Sequence, residues 1–121
     1  MIGNRPDFIE RGTIIQADLP KRGHEQGGER PAVVVSRTAM TAGSTVIILP
    51  CSTNLPAQPR PYIVLLEPEE SGLPYPSAVL IQHIRVLDKD FILDRRRGLV
   101  IPAAMARIDF AMMNVMDLAA A

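Results

Sequence analysis

Residues 23–35, GHEQGGERPAVVV, crowd His24, Glu25, Gln26, Glu29 and Arg30 among three glycines, directly ahead of an apolar β-branched run. Those side chains could do two kinds of chemistry. An imidazole titrates near ~6.5 and can exchange protons at neutral pH. A guanidinium stays charged and can hold two anionic oxygens at once. Further cations lie close by: Lys21 and Arg22 precede the stretch, Arg37 follows the apolar run, and DRRRG groups Arg95, Arg96 and Arg97. Clustered charge can focus a field on an anionic ligand. The plain alternative is a solvated hairpin tip with charged strand edges that discourage aggregation. Residue types alone leave both readings open. A cysteine-based zinc cluster is excluded, since it needs about four ligands and the chain has one cysteine and two histidines.

The chain that must position these groups has 121 residues, the size of a single domain, 1–121, with one core. Its 47% hydrophobic and 21% charged residues are ordinary for a soluble globular protein. No apolar run approaches the ~18 residues of a membrane span. Charges stand in MIGNRPDFIERG where a signal peptide would be apolar, so a cytoplasmic location is expected. Cys51 alone cannot form an internal disulfide and suits a reducing compartment. A net charge of zero argues against indiscriminate nucleic-acid binding.

Residues 1–11 are polar and read as a loose lead-in. GTIIQADL (12–19) has the β-branched, alternating pattern of a first strand. PKRGHEQGGER (20–30) breaks it with proline and glycine and is expected to be a mobile connection. PAVVVS (31–36) and TVIILP (45–50) are short apolar runs suited to core strands, with RTAMTAG (37–43) as the loop between them. NLPAQPRPY (54–62) is a proline-stiffened connector. YIVLL (62–66) is the next strand, EPEESGLPYP (67–76) a loop, and SAVLIQHIRVLD (77–88) one long strand bent midway. KDFILD (89–94) is short enough for a single helical turn, and RGLVIP (97–102) is a last strand. From Pro102, a residue suited to a first helical position, Met105, Ile108, Met112, Val115 and Leu118 recur at helical spacing. That stripe predicts a closing helix packed on the sheet. The sum is mainly β with a C-terminal helix (α+β): a small, partly closed antiparallel barrel covered on one side.

Three stretches carry a family resemblance. RGTIIQADL followed by GHEQGGERPAVVV matches the opening strand, the G-[SH]-E-Q-x-G-x-R-P signature and the next strand of MazF/PemK proteins. TVIILPCST is similar to their strand ending in a Pro-x-[Thr/Ser] corner, and SAVLIQHIRVLDK to their V-L-x-x-x-I-R-T-I-D-K strand. With the terminal helix and Met112-Met113, these run in family order from residue 11 to about 119. The chain therefore resembles the MazF/PemK toxin endoribonucleases of type II toxin–antitoxin pairs. The resemblance implies an SH3-like, partly closed barrel that forms a homodimer. It implies sequence-selective cleavage of single-stranded RNA without a metal or other cofactor, which stops translation and growth. It also implies inhibition by a cognate MazE-like antitoxin whose disordered tail wraps the toxin. DNA is met only indirectly, through the antitoxin complex, and no membrane is involved.

Metal-free RNA cleavage uses the substrate's own 2′-hydroxyl as nucleophile. The site must draw a proton from it, stabilise charge on the phosphoryl oxygens and protonate the leaving 5′-oxygen. By the resemblance, Arg30 matches the catalytic arginine. A guanidinium pKa above about 12 rules out a general base, so its part is charge stabilisation, with proton donation to the leaving oxygen as a second option. Ser52 stands where the family has threonine and offers a hydroxyl to the phosphate. Thr53 takes that part if the register differs by one, and the bland alternative for either is a turn cap. His24 is the third catalytic candidate, at a position held by His or Ser in the family. Glu25 and Gln26 are expected to order the loop and contact RNA, Lys21, Arg22 and Arg37 to meet phosphates, and Gln82 to hydrogen-bond bases. Arg85 and Asp88 are expected to fix a strand end, and Cys51 to be a small buried residue.

Two departures matter. Thr13 and Gln82 stand where many members carry acids, which thins the supply of general bases and shifts weight to His24. Two tyrosines, three phenylalanines and no tryptophan leave few stacking platforms, so recognition would lean on hydrogen bonds to base edges. Readings of another class are a same-fold toxin acting by protein contact, such as a CcdB-like gyrase poison, and a degenerate nuclease that only binds RNA. An adaptor for proline-rich peptides lacks the aromatic groove it would need.

Overall fold

Three apolar runs build the middle of the molecule: β1 (Thr13–Leu19), β2 (Gly28–Val34) and β3 (Thr45–Ser52). The computed structural model describes residues 7–118. Neighbouring residues in these strands point to opposite faces, yet Ile14 and Ile15, Val33 and Val34, and Ile48 and Leu49 are all fully buried. The sheet is therefore covered on both faces, which is why the runs are continuous rather than alternating. One core gathers Ile14, Val33, Leu49, Leu66 and Val79 with the C-terminal helix. The other gathers Ile9, Ile15, Val34, Ile48 and Leu87.

The strands follow the path β4-β5-β3-β2-β1-β7, with β6 also on β3, and every pairing is antiparallel. Here β4 is Ile63–Leu66, β5 is Ser77–Leu80, β6 is Arg85–Asp88 and β7 is Ile92–Leu99. The path ends at β4 and β7, so the expected partial barrel is an open seven-stranded sheet. β3 is shared along one edge: Cys51 and Ser52 pair with β5, while Thr45–Ile48 pair with β6. The change of partner needs a break, and a 3-10 turn at Ile81–His83 supplies it. The single bent strand expected over 77–88 is thus two strands.

Other boundaries also shift. RTAMTAG contains a 3-10 turn, Thr38–Ala42. The expected loop at 67–76 holds a one-turn helix α1 (Pro68–Ser71), closed by a capping box between Glu67 and Glu70. KDFILD divides into a 3-10 turn at Lys89–Phe91 and the start of β7, so DRRRG lies on a strand. Gly98 is required where β7 passes α1, because a Cβ there would fall 2.2 Å from the Ser71 carbonyl oxygen.

Helix α2 (Pro102–Val115) buries Ala104, Met105, Ile108 and Ala111. The expected stripe holds for its first half only. Met112 is half-buried, and Val115 and Leu118 are exposed, because the helix ends at Val115. Two alanines take their place on the packed face. The loose lead-in expected over 1–11 lies partly outside the described residues, and its last part is anchored. Ile9 is buried and its N–H donates to Thr41 Oγ1 at 2.7 Å, while Arg11 donates to the Val35 carbonyl and pairs with Asp109 of α2 at 2.8 Å.

Candidate active site

The register of β2 on β3 places the two principal candidates. Ala32 lies opposite Pro50, so one step further sets Pro31 opposite Cys51 and two steps set Arg30 opposite Ser52. Val35 donates to the Ile47 carbonyl at 2.9 Å, so the odd-numbered amides of β2 face β3. At position 31 that amide belongs to a proline and has no hydrogen to give. Arg30 makes good the deficit: its Nη1 donates to the Cys51 carbonyl at 3.2 Å, and its Nε donates to the Gly27 carbonyl at 3.1 Å. Both bonds fix the plane of the half-buried guanidinium. Nη2 makes no hydrogen bond among the described residues and stays available to an anion.

Ser52 is half-buried at the end of β3, paired with Ala78 of β5. Its Oγ accepts the Asn54 N–H at 3.0 Å. The hydroxyl is therefore a turn cap, and its own hydrogen remains free to rotate and donate. Thr53 is exposed. Cys51, the residue before Ser52, is buried in the core, and burial pushes its thiol up to about 12 against the lowering effect of the Arg30 charge. A thiol held protonated is no nucleophile, as expected for a packed residue.

Residues 20–27 form the loop beside this pair. Its neck is tight: a Cβ on Gly27 would fall 2.3 Å from the Cβ of Lys21. Arg85 of β6 grips the loop from the other side, its Nη1 donating to the Gln26 carbonyl at 3.1 Å and lying 3.3 Å from the Glu25 carboxylate. The structural ion pair and hydrogen bond expected of Arg85 are present, but they fix this loop rather than the strand end. A contact bridging residues so far apart in sequence has no local signature, which is why the pattern of types did not reveal it. Glu25 is thereby committed to Arg85. His24 is exposed at the loop's tip and, among the described residues, makes no hydrogen bond to Arg30 or Ser52. Lys21 and Arg22 are exposed on the same loop. Arg22 helps to line a cleft of about 310 Å³ with Glu25, Arg85, Asp88 and Phe91.

The structure does not gather every candidate. Arg37 lies beyond the opposite end of β2, seven residues of mostly extended chain from Arg30, or roughly 23 Å. Gln82 is exposed on the 3-10 turn between β5 and β6. Arg95 and Arg97 sit on β7 and bind Asp7 and Gln16, at 2.8 and 2.7 Å. Thr13 is 3% exposed and pairs with Leu99, at the far end of β1 from the Ala17–Arg30 pair. An acid in its place would not stand beside Arg30. Among the described residues, no three of His, Cys, Asp and Glu converge as metal ligands, and no helix is long and apolar enough to cross a membrane.

What the arrangement can do is hold an anion on a fixed guanidinium beside a hydroxyl donor. Comparison with known proteins is consistent with that chemistry. Residues 10–116 match the family model described as PemK-like, MazF-like toxin of type II toxin-antitoxin system. The chain is 34% identical over 118 residues to endoribonuclease MazF9 of Mycobacterium tuberculosis, covering 92% of this chain and 98% of that protein. It resembles the crystal structure of MazF from Deinococcus radiodurans with a TM-score of 0.77 at 24% identity, covering 93% of this chain and 99% of that one. It also resembles an endoribonuclease from a mycobacterial species, solved in complex with its cognate antitoxin. That TM-score is 0.70 at 26% identity, covering 93% and 96% of the two chains.

Proposed function

The chain belongs to the PemK-like, MazF-like toxin family of type II toxin–antitoxin systems, and on that premise we propose that Arg30 and Ser52 are the centre of a metal-independent RNA-cleaving site. The protein is a toxin endoribonuclease. Its substrate is single-stranded RNA, whose 2′-oxygen attacks the adjacent phosphorus. The P–O5′ bond breaks, leaving a 2′,3′-cyclic phosphate and a 5′-hydroxyl. Arg30 holds the phosphoryl oxygens through the donors its backbone bonds leave free, and charge-assisted bonds of this kind strengthen as negative charge develops. Ser52 donates its hydroxyl to the same phosphate. His24, exposed at the tip of the adjoining loop, exchanges the proton between 2′-oxygen and 5′-oxygen. Glu25 and Gln26 set the loop, Lys21 and Arg22 meet flanking phosphates, and Gln82 reads a base edge.

The observation that carries this reading is the double backbone anchorage of Arg30 at Gly27 and Cys51, with Ser52 the next residue of β3 after that second acceptor. A toxin acting by protein contact alone has no need of a pre-aimed guanidinium. The same reading gives the protein a cognate antitoxin that blocks the site, a homodimeric state and a cytoplasmic location. Incubation of the purified protein with mixed-sequence single-stranded RNA in excess EDTA is the test. Discrete cuts that disappear when the cognate antitoxin is added are expected, and intact RNA from folded protein across several sequences would remove the nuclease reading.

A further inference from the structure

Arg30 has two backbone acceptors of unequal rigidity. The Cys51 carbonyl lies within β3, whereas the Gly27 carbonyl lies at the junction between the loop and the first residue of β2. Within that loop the backbone bond is a single turn, Glu25 N–H to the Arg22 carbonyl at 2.9 Å, and Gly23 and Gly28 have positive φ. Gly27 is therefore held from two sides: by Gly28, which begins β2 and pairs with Leu19, and by its loop neighbour Gln26. The Gln26 carbonyl accepts from Arg85, whose side chain is 16% exposed, and Arg85 stands on a strand laddered to β3 and rooted in the core by Leu87. Two guanidiniums on different strands thus hold the carbonyls of consecutive residues.

We propose that Arg85 is a positioning residue for RNA cleavage: by holding Gln26 against β6 it keeps the Gly27 carbonyl where it sets the plane of the Arg30 guanidinium. The inference rests on Arg30 being the phosphate-binding residue. Glu25 then serves Arg85, compensating the charge of an arginine withdrawn from water, and acts neither as base nor as RNA ligand. The bond from Arg85 to a carbonyl is charge-assisted and largely sheltered, unlike a solvated surface pair.

The test is steady-state cleavage of a single-stranded RNA by wild type, Arg30→Ala, Arg85→Gln, Arg85→Lys, Glu25→Gln and the Arg85→Gln/Glu25→Gln double variant. Amide hydrogen exchange of residues 20–30 is followed in parallel. Misaiming predicts that Arg85→Gln lowers kcat about tenfold or more while KM changes less than about twofold. It also predicts faster exchange at Gly27 and Gly28. Lysine keeps the charge without the fork, so Arg85→Lys recovers part of kcat. Glu25→Gln loses no more than Arg85→Gln, and the double variant is no worse than Arg85→Gln alone. Should Arg85→Gln fail to fold, the Lys and Glu25→Gln variants carry the same comparison. Wild-type kcat and exchange in the Arg85 variants, with Arg30→Ala inactive, would overturn the proposal, as would a rise in KM alone. An active Arg30→Ala would instead overturn the reading beneath it.

Discussion

Arg30 donates from Nη1 to the backbone carbonyl of Cys51 at 3.2 Å, at the ladder position where Pro31 has no N–H to give. The Arg-Pro pair is therefore one device: the proline leaves an acceptor open on β3, and the arginine before it uses that acceptor to aim its charge.

Removing the proline separates the two halves of the device. Pro31→Ala returns an N–H that competes for the Cys51 carbonyl. Stability should hardly move, since a net hydrogen bond of about 1 kcal/mol offsets the lost chain stiffness. Cleavage should fall by about threefold to tenfold as Arg30 loses its aim. Thermal melts and kcat measured on one preparation check this, and slow exchange of the new amide at position 31 would show the competing bond.

At position 30 the geometry matters as much as the charge. Arg30→Lys cannot satisfy Gly27 and Cys51 and still present a planar pair of donors, so it should lose nearly as much activity as Arg30→Ala. The expected loss is about 10²- to 10³-fold in kcat. Single-turnover cleavage with saturating RNA measures it, and a lysine variant close to wild type would mean that charge alone suffices.

Ser52 caps the Asn54 N–H, and the proposed function adds a phosphate donor, two duties that substitutions can part. Ser52→Ala removes both the cap on the Asn54 N–H and the donor hydroxyl, and should cost about 0.5–1.5 kcal/mol in stability as well as most of the activity. Ser52→Thr keeps both groups and should remain active. Thr53→Ala, at an exposed position, should leave the melting temperature unchanged and spare most of the activity. Urea titration beside RNA cleavage distinguishes the three.

The buried thiol fixes an alkaline limit. Cys51 keeps its proton in the folded chain up to about 12, through burial, while the unfolded chain releases it near 9. Ionisation thus favours the unfolded state as pH rises between those values, and the stability present below that window is lost across it. A denaturation series from pH 8 to 11 should fall more steeply for wild type than for Cys51→Ala, and iodoacetamide at pH 8 should leave the native thiol unmodified.

Much of this was legible in the residues. The apolar runs at 31–36 and 45–50 marked two central strands because burial on both faces left few polar positions inside them, and GTIIQADL (12–19) marked the first strand by its β-branched, alternating pattern. The Gly-rich loop and Arg30 stood out by residue type, as a cation among hydrogen-bonding side chains directly ahead of an apolar run. A bend midway along SAVLIQHIRVLD was legible, but its division into two strands was not, because apolar residues resume on both sides of Gln82 and His83 and only the shared edge of β3 forces the chain to change partner. Arg37 illustrates the opposite error. It is near Arg30 in sequence, yet a strand carries it away at ~3.3 Å per residue. Arg85 is far in sequence, and the pairing of β6 with β3 brings it back to the loop.

The central claim is that a guanidinium aimed by backbone carbonyls lets this protein cut RNA through the substrate's own 2′-hydroxyl. The most direct measurement maps the ends left on single-stranded RNA by wild type and Arg30→Ala in excess EDTA. The account predicts 2′,3′-cyclic phosphate and 5′-hydroxyl ends at discrete positions with wild type, and none with Arg30→Ala. Cuts bearing 5′-phosphates, cuts that require added metal, or cuts that persist in Arg30→Ala would contradict it.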